Sequence, residues 1–159
     1  MQICSLLSVT VNNNTVVDMS ALMPRLCHLK KWPDFNGYGL ALRDHRGKHY
    51  IDKVHRGSPA EAGGLKEFDR IVEVDGKNKE RSSHSKVVQC IREARHETKL
   101  LVVDKRTDEF FKEKGVCVKG NMPDVQKIEC PAKRPNSLGM LSFSLYLNCV
   151  KHYRECCAF

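Results

Sequence analysis

The first 24 residues show no hydrophobic period and carry a single charge, Asp18, with Asn12-Asn13-Asn14 in their middle. They read as a flexible N-terminal arm, residues 1–24. From Arg25 onward short apolar runs alternate with turn residues, the pattern of short strands rather than of long helices. Runs at Leu26–Leu29, Gly39–Arg43, His49–Val54, Ile71–Val74 and Leu100–Val103 predict strands. Pro33-Asp34-Phe35-Asn36-Gly37, Asp44–Lys48 with its Gly47, and Asp75-Gly76 supply the turns between them.

Two stretches switch to helical spacing. Ser58 followed by Pro59 opens a short helix through Ala60–Ala62 that Gly63-Gly64 closes. Ser83 is placed as the N-cap of a second helix running from His84 to about Arg95. On it Val87, Ile91 and Ala94 form a core stripe, while His84 and Val88 lie one turn apart on a mixed polar and apolar face. Strands outnumber helices and no β-α-β alternation occurs, which disfavours a parallel nucleotide-binding sheet. The fold class expected is therefore mostly β with two helices, a small, partly open antiparallel barrel flanked by flexible extensions. A short helical extension is expected over residues 105–116, with Thr107–Lys114 helical and Gly115 as its stop. Residues 117–159 carry Pro123, Pro131 and Pro135 and read as a linker-like tail. That tail ends in an apolar run where Leu141, Phe143, Leu145 and Leu147 alternate with Ser142, Ser144 and Tyr146, a strand period.

At 159 residues the chain has room for one ordinary domain plus extensions. Its 41% hydrophobic and 29% charged content permits a real core. The 27 basic residues against 19 acidic ones give +8, but both signs alternate through the middle of the chain. That is a solvated surface rather than a phosphate-binding stripe, and no nucleic-acid partner is expected. The eight cysteines are scattered without a C-x-x-C pair, which favours reduced thiols and a cytoplasmic setting over a disulfide scaffold. The apolar run at Ile3–Val11 lacks a preceding basic residue, so it is not read as a signal peptide. Leu138–Val150 falls short of the roughly 20 residues of a membrane-crossing helix.

No G-x-S-x-G, H-E-x-x-H or phosphate-loop pattern occurs, so catalysis is not expected. Cys149-x-x-His152-x-x-x-Cys156 has metal-like spacing but too few ligands, and the terminal Cys156-Cys157-Ala158-Phe159 has the form of a prenylation signal. These leave a lipidated or metal-binding tail as the alternative reading of function. The more informative motif is Asn36-Gly37-Tyr38-Gly39-Leu40. Two glycines around one aromatic, just before an apolar strand, allow successive backbone N–H groups to turn toward one point, a concavity suited to an anion. It is no dinucleotide fingerprint, because Leu42 stands where a third glycine belongs.

That loop is followed in order by Gly57-Ser58-Pro59-Ala60-Glu61-Ala62, Asp69-Arg70-Ile71-Val72-Glu73-Val74-Asp75-Gly76, His84 with Val87-Val88, and Leu100–Asp104. In order and spacing the set resembles a PDZ domain over residues 25–104, most of all those of the sodium/hydrogen exchanger regulatory factor (NHERF) scaffolds. Pro24-Arg25-Leu26-Cys27 and Thr107-Asp108-Glu109 look like the flanks of that family's first domain.

The resemblance implies a protein-interaction module that takes the free C-terminus of a membrane transporter, channel or receptor as an added strand. By that likeness Gly37, Tyr38, Gly39 and Leu40 hold the peptide carboxylate with Arg92 nearby. Leu40, Leu42, Val88 and Ile91 form the pocket for the last side chain, and His84 reads a Ser or Thr two residues before the end. Asn36, Asp52 and His55 bear on residues further upstream. Asp52 stands where the family pattern has a basic residue, His55 where an acidic one is usual, and Leu40 where Phe is frequent. The tail lacks the family's ending for ezrin-type linkers. No cofactor and no metal are expected, and membrane association is expected only through partners, as a cytoplasmic protein recruited to the plasma membrane.

Overall fold

The structure, a computed structural model, describes residues 22–135. Seven strands form one sheet: β1 (Arg25–Lys30), β2 (Leu40–His45), β3 (Lys48–Val54), β4 (Arg70–Val74), β5 (Lys77–Asn78), β6 (Glu97–Val103) and β7 (Gln126–Glu129). Three helices accompany them: α1 (Pro59–Ala62), α2 (His84–Glu93) and α3 (Lys105–Glu113). The sheet runs β2-β3-β4-β6-β1-β7, with β5 paired to β4, so β2 lies at an edge. All pairs are antiparallel except β1 with β7. This is the mostly β architecture with two domain helices that the hydrophobic pattern anticipates, with α3 as the helical extension.

The core explains why these runs form these elements. Cys27 and Leu29 on β1, Ile51 on β3, Ile71 and Val74 on β4, and Leu100 and Val102 on β6 meet Val87 and Ile91 from α2 and Ala60 from α1. Strand alternation sends Leu101 and Val103 to the other side, where with Val72, Val118 and Val125 they form a second cluster. Leu26 and Phe111 close over that cluster, so the sheet is covered on both faces.

Buried charges tie the covering segments down. The guanidinium of Arg25 pairs with Asp69 and donates to the Gly64 carbonyl at 2.6 Å, while Asp69 also accepts from the Lys66 N–H at 2.8 Å. Arg70, 5% exposed, donates from Nε to Asp108 at 2.9 Å and from Nη1 to Glu80 at 2.7 Å, and Asp108 in turn pairs with Lys112. Asp108 is on α3, so this network fastens the extension to β4. The α3 cap is Asp104, whose side chain accepts from the Thr107 N–H at 2.8 Å. The helix accordingly starts at Lys105, within the extension expected over 105–116 and two residues ahead of the helical stretch expected from Thr107.

β7 departs from the expectation of a linker beginning at residue 117. Its four residues pair in parallel with β1 in the register Arg25 with Gln126 to His28 with Glu129. The Gln126 N–H donates to the Pro24 carbonyl, and the Cys130 N–H to that of His28, both at 2.9 Å. Beyond the strand, Trp32 Nε1 donates to the Pro131 carbonyl at 2.7 Å. Gln126-Lys127-Ile128-Glu129 has one apolar residue and no alternation to announce it. Pairing with a preformed edge, rather than propensity, makes it a strand. The expected N-terminal arm, save residues 22–24, and the strand-like run at residues 138–150 lie outside the described residues.

Candidate functional site

The groove lies between the edge strand β2 and α2. Its closed end is built by the loop before β2. Gly37 and Gly39 both adopt positive φ, 81° and 75°, which lets the backbone reverse twice around Tyr38. The Tyr38 carbonyl accepts from the Ala60 N–H at 2.9 Å and the Gly39 carbonyl from the His55 N–H at 2.9 Å. These bonds turn both carbonyls toward the body of the domain. Among the described residues, the Tyr38 and Gly39 N–H groups have no acceptor. Tyr38 is itself fixed: its ring is buried in the core and its hydroxyl reaches the Ala94 carbonyl at 3.4 Å. Burial pushes the phenol up to about 12, with Asp75 and Glu97 adding to the effect, so this residue is an anchor and not an acid.

The remaining candidate residues lie on β2, β3, α2 and the loops beside them, and not all converge equally. Leu40 and Leu42, both on β2, are half-buried and pack against the core cluster that contains Ile91 and Val87 of α2. Val88 is half-buried one residue along, and His84 opens the helix after Ser83, whose extended backbone fits an N-cap although its hydroxyl caps nothing. Arg92 is exposed in the last turn of α2. Lys31, which the sequence reading does not single out, holds its Nζ 5.3 Å from the Tyr38 ring centroid. It brings a second positive charge to the loop. Asn36 is exposed beside the loop, and His55 is exposed with its main chain bonded to Gly39. Asp52 is exposed on β3, its carboxylate 3.7 Å from Arg43 Nε.

One feature of this corner has no precursor in the sequence pattern. His49 on β3 is 1% exposed and faces His84, with ring centroids 6.0 Å apart. Its Nε2 is 3.0 Å from the Ser82 carbonyl. The tail residues Cys149, His152, Cys156 and Cys157, with the metal-like and prenylation-like patterns they carry, lie outside the described residues.

An edge strand, an apolar helix face beside it and a loop with unengaged N–H groups at one end are the arrangement of this corner of the fold. Residues 30–103 match the family model described as "PDZ domain" and are a PDZ domain.

Over 118 residues, 74% of this chain, the sequence is 41% identical to a mouse protein, Na(+)/H(+) exchange regulatory cofactor NHE-RF2. Over 93 residues, 57% of this chain, it is 50% identical to chicken Na(+)/H(+) exchange regulatory cofactor NHE-RF1. The aligned parts are 34% and 27% of those proteins, so the chain spans about a third of the curated relatives it matches. Among solved structures, the crystal structure of MUPP1 PDZ4 superposes with a TM-score of 0.46 at 26% identity, covering 50% of this chain and 73% of that one. Among the described residues no helix is long and apolar enough to cross a membrane.

Proposed function

We propose that this PDZ domain is a non-catalytic adaptor that binds the free C-terminus of a membrane transporter, channel or receptor by β-augmentation, with a class I preference for Ser or Thr two residues before an apolar end. The observation that carries the reading is the pair of unengaged N–H groups, Tyr38 and Gly39, at the closed end of a groove beside an unpaired strand edge. A terminal carboxylate is the anion that can reach such donors while its own chain continues along β2. Gly37 and Leu40 complete the loop, and Arg92 and Lys31 supply positive charge. Leu40, Leu42, Val88 and Ile91 take the last side chain. His84 accepts a hydrogen bond from the hydroxyl, and a peptide lacking that hydroxyl leaves the imidazole unsatisfied.

Similarity to proteins named as sodium/proton exchange regulatory cofactors supports ion transporters as the partner class. Such partners would recruit a cytoplasmic protein to the plasma membrane. The test is a titration with fluorescent peptides ending in Ser/Thr-x-Leu, each beside its C-terminally amidated twin. Hydrogen bonds to a charged group are worth about 1.5–3 kcal/mol, so amidation should weaken binding by about tenfold to a hundredfold. His84→Ala should cost about tenfold for hydroxyl-bearing peptides. Equal binding of acid and amide would overturn the reading.

A further inference from the structure

His49 is an unusual residue to find with 1% exposure on a strand, and its surroundings define what it can do. Only an N–H can donate to a carbonyl, so the 3.0 Å contact from Nε2 to the Ser82 oxygen places a proton on Nε2, and the neutral ring with that proton carries its lone pair on Nδ1. The Nδ1 lone pair then faces the other way. Nδ1 is buried and, among the described residues, without a hydrogen-bond partner, as is Nδ1 of His84. Asp44, at the end of β2, brings Oδ2 to 3.6 Å from His49 Nδ1. One ligand atom from each of Asp44, His49 and His84 lies within 4.8 Å of the other two.

We propose that Asp44, His49 and His84 form a binding site for a zinc-type divalent cation. Two imidazole nitrogens and one carboxylate are a ligand set that suits zinc. Tetrahedral bonds of 2.0–2.1 Å place neighbouring ligand atoms about 3.4 Å apart, close to the separation that His49 and Asp44 already have. The His84 ligand atom lies within 4.8 Å of the other two, and its ring, more exposed than that of His49, moves inward to complete the set. The Ser82 carbonyl is the outer partner that orients a ligating imidazole through its second nitrogen. The cation would join β2 and β3 to the first turn of α2, at the flank of the groove rather than in the carboxylate loop. This inference does not rest on the peptide-binding reading but shares His84 with it: a cation on His84 Nδ1 leaves the proton on Nε2, so the metal-loaded domain would present a donor where the metal-free one presents an acceptor to the peptide hydroxyl.

Cobalt(II), which reports coordination by its visible absorption, is titrated into the full chain, and zinc(II) is then used to displace it. The expected result is one equivalent bound with a tetrahedral spectrum and no thiolate-to-cobalt charge-transfer band. Asp44→Asn, at an exposed position, and His49→Gln, which keeps an N–H for Ser82, should each weaken binding by at least about tenfold. Cys156→Ser with Cys157→Ser should leave it unchanged. A thiolate band lost in the cysteine variant would place the metal on the tail and overturn the proposal. So would an unchanged affinity in Asp44→Asn, or no uptake at all.

Discussion

Ser58 occupies the space a side chain at Gly39 would need: a β-carbon there would lie 2.3 Å from the Ser58 β-carbon and 2.7 Å from its Oγ. Ser58 is fully buried at the start of α1 and accepts from the Glu61 N–H, so it has nowhere to retreat. Gly39→Ala therefore adds a steric overlap to the strain of a positive φ, for a loss of about 3 kcal/mol. Gly37→Ala meets open space and bears only the strain, about 1–2 kcal/mol. Urea unfolding of the two variants should separate them, and coincident midpoints would remove Ser58 from the explanation.

The Arg70 link to α3 makes residues beyond the PDZ pattern part of its stability. Asp108→Ala leaves Arg70 buried with Glu80 as its remaining carboxylate, at a cost of about 3 kcal/mol. Replacing both partners with apolar residues, Arg70→Met with Asp108→Leu, should restore part of that loss because the charges left unpaired, Glu80 and Lys112, are solvent-exposed rather than buried. Chemical denaturation of the single and double variants checks this. A double variant no more stable than Asp108→Ala would mean that the network does more than neutralise Arg70.

Asp52 gives the groove an acidic neighbour, but Arg43 lies against it. Peptides with Lys three residues before the end should bind only about twofold better than those with Glu, since exposed pairs are worth less than about 1 kcal/mol. Removing the competitor with Arg43→Ala should widen the gap. Paired peptide titrations at low and high salt test the point; a preference for Glu would exclude Asp52 as the reader.

Thiol chemistry should separate sharply by position. Burial pushes Cys27 up to about 12 and raises Cys130 above its ordinary value, so both stay protonated at neutral pH. Cys117 is exposed. With iodoacetamide at pH 8 and peptide mapping by mass spectrometry, Cys117 should label in the native protein, whereas Cys27 should wait for unfolding. Early labelling of Cys27 would show that β1 opens locally.

What was legible in the chain followed from local rules. Turn residues and short apolar runs located the strands of the core, and Ser58-Pro59 and Ser83 located both domain helices within a residue or two. Asp104 shows how a cap can be overlooked: it stands after an apolar strand, and its role appears only when its side chain meets Thr107. β7 was not legible at all, because one isoleucine among polar residues carries no period, and its conformation comes from β1. His49 was equally silent. On an alternating strand a histidine passes for a surface residue, and nothing local signals that its neighbour would be His84.

The parallel pairing of β1 with β7 also sets how the domain answers tension. The chain enters β1 beside Gln126 and leaves β7 beside His28, so pulling the flanking segments apart drags the two strands past each other lengthwise. Every ladder bond between them is then loaded together, and so is the Trp32 grip on Pro131. None can be peeled off singly, which makes forced opening a matter of a high unfolding barrier rather than of equilibrium stability.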